Sequence, residues 1–109
     1  MESWLDAPIK LLTLKYEDMQ AEPVAQLGEA ARFLGVDVES DVVKAAVSSV
    51  SFERLRVAEE ANGFIERPPG MTRFFRQGII GCWQDSLTPA QAERIEADHG
   101  PVMRKLGYL

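Results

Sequence analysis

The chain has 109 residues and a mass of 12.2 kDa, the size of one domain with a modest hydrophobic core. Hydrophobic residues make up 46% of it and charged residues 27%, which excludes a disordered or collagen-like chain. The net charge of -5 and the pI near 4.8 argue against a general binder of nucleic acid or acidic membranes, because polyanions repel such a protein on average.

The cysteine and histidine content excludes two further classes of site. One cysteine, Cys82, and one histidine, His99, can form neither an internal disulfide nor a zinc site. The sequence shows no long apolar run of the kind that spans a membrane and no signal-peptide pattern. We therefore expect a cytoplasmic protein without a metal.

The first predicted element is a short strand over residues 9–16. Apolar residues are dense between Pro8 and the acidic pair Glu17 and Asp18, as in a largely buried strand. A helix over residues 3–19 is the alternative, since a helical stripe would also accommodate Leu5, Ile9, Leu12 and Tyr16.

Three helices are predicted to follow, over residues 23–34, 40–50 and 52–61. Pro23 suits the first position of the first helix, and Gly35 suits its end. Apolar residues recur at spacings of three and four in the first two helices, which gives each helix one buried face. The expected fold is mainly α with one short N-terminal strand, in a single domain over residues 1–109.

A binding loop is predicted over residues 63–86, where helical periodicity disappears. Pro68, Pro69 and Gly70 prevent a helix locally, and ordered loops of this length are usually functional. The loop is too rich in aromatic and aliphatic residues to be disordered.

The last helix is predicted over residues 88–106. Thr88, Pro89 and Gln91 form a capping box with proline at the first helical position. Pro101 is expected to kink or split the helix near Gly100, because proline removes a backbone donor.

The strongest chemical signal is the segment over residues 73–83, which reads Arg-Phe-Phe-Arg-Gln-Gly-Ile-Ile-Gly-Cys-Trp. Guanidinium groups match phosphate geometry, glycine lets backbone amides approach an anion, and aromatic rings stack on purines. The alternative, which spacing alone favours, is a surface loop with aromatic residues in the core and arginines in solvent.

Five motifs occur in order along the chain, namely Leu14-Lys-Tyr-Glu-Asp-Met19, Phe33-Leu-Gly-Val36, Ser51-Phe-Glu-Arg-Leu55, Phe75-Arg-Gln-Gly-Ile-Ile-Gly-Cys-Trp83 and Leu87-Thr-Pro-Ala-Gln91. Together they closely resemble the C-terminal part of the cytosolic-type sulfotransferases, most of all the bacterial branch. These enzymes transfer a sulfuryl group from 3′-phosphoadenosine 5′-phosphosulfate (PAPS) to hydroxyl or amine acceptors. The resemblance implies a C-terminal remnant of an α/β, P-loop-like fold.

The resemblance also implies a site for PAPS or its desulfated form, 3′,5′-adenosine bisphosphate (PAP). The implied cofactor-binding residues are Tyr16, Ser51, Phe52, Leu55, Phe74, Arg76, Gln77 and Gly78. The first four, with Val50, correspond to family residues near the adenine, and the last four to the loop that grips the 3′-phosphate. Gln77 departs from the family, which usually has a second cation there, and Val50 stands where threonine is common. Losing one charge-assisted contact costs about 1–3 kcal/mol of phosphate binding.

No catalytic residue is expected in the chain. The phosphosulfate-binding loop and catalytic histidine of the family lie upstream of the matched part. His99 matches no catalytic position, and the neighbouring Glu17 and Asp18 face opposite ways on a strand. Three interpretations stay open: an inactive half of a nucleotide site, one half of a split sulfotransferase complemented by a separate N-terminal chain, and a stand-alone self-associating module.

A homodimer is predicted through residues 9–16. A lone strand exposes backbone donors and acceptors, and antiparallel pairing with a second copy satisfies them under two-fold symmetry. The alternative is a monomer in which residues 3–19 become helical and fold back.

Overall fold

The structure is a computed structural model that describes residues 2–109, with side chains from Trp4 onward. The helices are α1 (Glu2–Leu5), α2 (Tyr16–Ala21), α3 (Pro23–Phe33), α4 (Ser40–Ser49), α5 (Phe52–Asn62), α6 (Trp83–Ser86) and α7 (Pro89–Lys105).

The chain clusters into two compact units. One unit is Leu12–Ile80, which contains α2 to α5 and most of the predicted binding loop. The other consists of the residues up to Leu11 together with Gly81–Leu109, and it contains α1, α6 and α7. The motif over residues 73–83 therefore contributes to both units.

The strand predicted over residues 9–16 is not formed. Residues 10–15 have no regular secondary structure, and Tyr16 begins α2 instead. A strand is stabilised by hydrogen bonds to a neighbouring strand, and residues 2–109 include none to pair with it. The alternative helix over residues 3–19 is not formed either, since helix is restricted to α1 and α2 within this part of the chain.

Helices α3, α4 and α5 end within one residue of the ends predicted from local signals. Pro23 occupies the first position of α3, as its fixed φ angle favours. Helix α3 packs against both α2 and α4. Val43 of α4, at 6% exposure, is the one buried apolar side chain that the structure describes.

Helix α7 begins with the predicted capping box. The Thr88 hydroxyl accepts from the Gln91 backbone N–H over 3.3 Å, and the Gln91 side-chain oxygen accepts from the Thr88 backbone N–H over 2.9 Å. The helix is continuous through Pro101, so of the kink or split predicted near Gly100 the split is wrong, and the kink stays a prediction. Proline lacks only its own backbone N–H. The residues of the turns on both sides keep their hydrogen-bond donors, so the helix continues.

Helix α6 lies inside the segment predicted as loop. It is one turn long, and its last residue, Ser86, donates its hydroxyl to the Cys82 carbonyl over 2.9 Å. Within the same unit, the Lys105 ammonium donates to the Asp6 carboxylate over 2.7 Å. Helix α6 is difficult to predict from periodicity, because it is shorter than two turns.

Large apolar side chains are exposed in both units. Examples are Trp4, Leu34 and Ile65, with 64%, 73% and 100% of their surface exposed. Among residues 2–109, no helix combines the length and apolar character needed to cross a membrane.

Candidate functional site

The residues implied for the nucleotide site all lie in the unit Leu12–Ile80. They belong to three segments of the chain, at residues 16–20, 51–55 and 74–78. The structure connects these segments through two contacts, one made by Gln20 and the other by Phe52.

Gln20 connects the first segment to the third. Its side-chain amide donates to the Tyr16 hydroxyl over 2.7 Å and to the Gly78 carbonyl over 3.4 Å. Tyr16 and Gln20 meet because residues four apart are neighbours on a helix. In an extended chain they would lie about 13 Å apart. The start of α2 at Tyr16 therefore creates this contact.

Phe52 connects the second segment to the third. Gly78 has a positive φ of 62°, and a Cβ atom at this position would lie 2.6 Å from Cδ2 of Phe52. The phenyl ring thus occupies the space that any other residue at position 78 would need. Ser51, the residue before it, caps α5 by accepting from the Arg54 backbone N–H over 3.4 Å.

Phe52 also belongs to a group of four aromatic rings, and we refer to Phe52, Phe64, Phe74 and Phe75 as the phenylalanine cluster. Phe75 contacts the other three, with ring centroids 5.1 Å from Phe64, 5.2 Å from Phe74 and 6.3 Å from Phe52. Each of these three pairs has the edge-to-face geometry that aromatic rings favour. The cluster holds the loop against the first residue of α5.

Glu59 of α5 is buried, with 4% of its surface exposed, beside the same loop. Its carboxylate accepts from the backbone N–H groups of Phe74 and Phe75 over 2.7 and 3.0 Å, and from the Arg67 guanidinium over 3.5 Å. Burial by itself raises the pKa of Glu59. The two backbone hydrogen bonds and the positive charges of Arg67 and Arg73 outweigh that effect, so its pKa is lowered.

The three arginines of the loop differ in their partners. Arg67 pairs with Glu59, and Arg73 donates to Glu60 over 2.8 Å. Arg76 is exposed and forms no ion pair or hydrogen bond with any residue from 2 to 109. Of the three guanidinium groups, that of Arg76 is the one without an ion pair among residues 2–109.

The arrangement is suited to binding an anion rather than to acid–base chemistry. An open guanidinium lies beside a glycine with positive φ, where the backbone can approach a phosphate closely. Leu55 is half-buried on α5, and Gln77 is exposed next to Arg76. Within residues 2–109, no group of three or more metal-ligating side chains lies together.

Sequence reasoning missed two residues that organise this region, Gln20 and Glu59. The spacing from Tyr16 to Gln20 would have indicated their contact, had residues 16–21 been predicted as a helix. Nothing local marks Glu59, because its partners are 8, 15 and 16 residues further along the chain.

Comparison with known proteins identifies a family. The sulfotransferase domain family matches residues 1–107. Cytosolic sulfotransferase 17 of Arabidopsis thaliana is 33% identical, with 94% of this chain and 32% of that protein covered. Sulfotransferase 1A1 of Canis lupus familiaris is 32% identical, with 89% and 34% covered. The crystal structure of mouse sulfotransferase SULT7A1 complexed with PAP superimposes on 94% of this chain and 38% of that chain, with a TM-score of 0.67 and 28% identity.

These matches cover nearly all of the chain but only part of each relative. The chain spans about a third of the length of the curated relatives it matches. The three relatives are eukaryotic, so they do not support the predicted bacterial branch. The resemblance to sulfotransferases inferred from the motifs is confirmed, and the chain belongs to the sulfotransferase domain family.

Proposed function

We propose that this chain carries the 3′-phosphate and adenine side of a PAPS or PAP site. The observation that carries the proposal is the joining of three distant segments at Gly78, beside the Arg76 guanidinium, which has no partner in the described part of the chain. The likeness to SULT7A1, a sulfotransferase complexed with PAP, supports it.

In this proposal the loop residues bind the 3′-phosphate. Arg76 donates two parallel hydrogen bonds to the phosphate, as a planar guanidinium does with such anions. Gly78 allows the phosphate to approach the backbone, and Gln77 adds a neutral donor where a second cation would bind more strongly. Phe74 keeps the loop on the phenylalanine cluster.

The adenine side consists of residues on α2 and α5. Tyr16 and Phe52 supply aromatic surface for the purine, since stacking on a base requires only an accessible ring face. Tyr16 has 48% of its surface exposed, and its hydroxyl is oriented by Gln20. Ser51, the N-cap of α5, and Leu55 of its first turn complete this side.

Residues 1–109 by themselves are proposed to bind nucleotide without transferring the sulfuryl group. His99, the one histidine of the sequence, lies on α7 in the other unit, and the Glu59 carboxylate is occupied by backbone and arginine donors. No pair of residues in the candidate site can act as nucleophile and base. Incubation with labelled PAPS and a panel of phenols and alcohols should give no turnover above background.

Calorimetry with PAP tests the nucleotide site. We expect the chain to bind PAP in the high-micromolar range, because half a site supplies few contacts after the entropy of association is subtracted. Arg76→Ala should weaken binding about tenfold or more, since it removes a charge-assisted contact. Arg32→Ala on α3 is the matched control, as Arg32 is also exposed but lies outside the three segments.

Two results would contradict the nucleotide site. One is the absence of PAP binding by the unmodified chain at millimolar ligand. The other is an Arg76→Ala variant that binds PAP as tightly as the unmodified chain, since the 3′-phosphate would then have another partner.

A split sulfotransferase is the second candidate function. The exposed apolar side chains of both units favour a complementary polypeptide. Its partner would be the remaining two-thirds of a sulfotransferase domain. Co-expression with the corresponding segment of a relative should then restore transfer from labelled PAPS, and an inactive complex would reject this candidate.

Self-association through residues 9–16 is also proposed. Residues 10–15 have no regular structure, and Ile9 and Leu11 have 50% and 45% of their surface exposed. Light scattering should show a dimer that Ile9→Lys with Leu11→Lys converts to a monomer, because charges at the contact oppose pairing. Leu34→Lys, at another exposed apolar position, should leave the dimer intact. A 12.2 kDa monomer at high concentration would rule the dimer out.

A further inference from the structure

We propose that Glu59 is a positioning residue, which fixes the backbone of Phe74 and Phe75 so that Arg76 is presented to the 3′-phosphate. The inference rests on the nucleotide site proposed above, and it assigns a role to a residue that the phosphate does not touch.

The first step is the geometry of the two amides. Consecutive N–H groups in an extended chain point to opposite sides, so both can donate to one carboxylate only where the backbone turns. Phe74 donates to Oε1 of Glu59 and Phe75 to Oε2, over 2.7 and 3.0 Å. The carboxylate therefore selects a turned backbone at residues 74–75, immediately before Arg76.

The second step is the strength of this contact relative to its neighbours. The side chain of Glu59 is 2% exposed, and hydrogen bonds to an ionised carboxylate are stronger than neutral ones. The adjacent ion pair of Glu60 with Arg73 is exposed, at 53% and 45% of the two side chains, and exposed pairs stabilise a protein only weakly. Of these two polar connections between α5 and this part of the loop, that of Glu59 is therefore the stronger.

The third step is a second connection through Arg67. Its guanidinium donates to Glu59 over 3.5 Å and to the Thr72 carbonyl over 3.2 Å. Arg67 thereby connects the carboxylate to the chain two residues before Phe74. Hydrogen bonds to Arg67 and Glu59 thus hold the loop at Thr72, Phe74 and Phe75. Arg76 is the first arginine after these three residues.

The connection depends on the ionised form of Glu59. Its pKa is lowered in the folded chain, by the two backbone hydrogen bonds and by Arg67 and Arg73, against the opposing effect of burial. A carboxyl with a lowered folded pKa stabilises the fold fully above its unfolded pKa of 4.5. That stabilisation is lost as the pH falls below 4.5 and through the folded pKa.

Substitution of Glu59→Gln tests the inference, with Glu60→Gln as matched control on the same helix. NMR should show amide exchange at Phe74 and Phe75 about tenfold faster in Glu59→Gln, since glutamine offers one acceptor oxygen in place of two. Calorimetry should show PAP affinity about five- to tenfold weaker, while the affinity for adenosine 5′-monophosphate, which lacks the 3′-phosphate, changes less than twofold. Glu60→Gln should match the unmodified chain in all three measurements.

The outcomes separate this inference from the proposed function. Absence of PAP binding by the unmodified chain overturns both. Binding that Arg76→Ala abolishes but Glu59→Gln leaves unchanged overturns the positioning role alone. An equal loss for both nucleotides also overturns it, because a purely structural role would weaken both.

A second variant decides the question if Glu59→Gln does not fold. Arg67→Ala removes the connection to Thr72 while leaving both amide contacts to Glu59 in place. We expect PAP affinity to fall about two- to threefold with amide exchange at Phe74 raised in parallel. Unchanged affinity and exchange in Arg67→Ala would then overturn the positioning role.

Discussion

Replacing Gly78 with alanine is expected to lower the free energy of unfolding by about 2–4 kcal/mol. The backbone at Gly78 has a φ of 62°, which L-residues other than glycine adopt at a cost. The added Cβ would also lie 2.6 Å from the Phe52 ring. That ring cannot move freely, because it packs edge-to-face against Phe75 with centroids 6.3 Å apart.

Urea unfolding of Gly78→Ala measures this loss, and Gly70→Ala is its control. Gly70 also has a positive φ, of 87°, but a Cβ there would meet nothing within 4 Å. Gly70→Ala should therefore lower the free energy of unfolding by only about 1–2 kcal/mol, which is the cost of a left-handed backbone for a residue other than glycine. Equal losses in the two variants would show that the contact with Phe52 is not what requires glycine at position 78.

Replacing Phe75 with alanine is expected to lower the free energy of unfolding by about 2–3 kcal/mol. Truncation of a fully buried phenylalanine to alanine lowers the free energy of unfolding by about 3–5 kcal/mol. The expected loss is smaller here because Phe75 is half-buried. Phe75 contacts all three other rings of the phenylalanine cluster, so its loss removes three aromatic pairs. The loop over residues 74–78 would lose its packing against α5.

The control for Phe75→Ala is Phe74→Ala, measured by the same urea unfolding. Phe74 has 43% of its surface exposed and contacts two rings of the cluster, so its truncation should cost about 1–2 kcal/mol. A larger loss for Phe74→Ala than for Phe75→Ala would show that Phe75 is not the centre of the cluster.

Some features of the site were accessible from the sequence because they are local. Arg76 and Gly78 were selected by residue type, since phosphate recognition favours a guanidinium next to a flexible backbone. The capping box at Thr88 was correct because its donors and acceptors lie within four residues. The motifs, read in order, identified the sulfotransferase family.

Other features depend on contacts between distant residues. The strand over residues 9–16 was wrong, since apolar density predicts burial but does not supply the neighbouring strand that a strand requires. Arg73 and Arg76 have the same residue type and neighbouring positions. Only the structure shows that Glu60 pairs with the first and that the second has no partner among residues 2–109.

The family, the three central helices and the composition of the loop all follow from the amino-acid sequence. Each of these depends on motif order, on helical periodicity or on capping within a few residues. That Gln20 joins Tyr16 to Gly78 and that Glu59 holds Phe74 and Phe75 is seen only in the folded chain. These hydrogen bonds join the loop to helices as far as 58 positions away, and they depend on how the loop folds against α2 and α5, which local patterns do not encode.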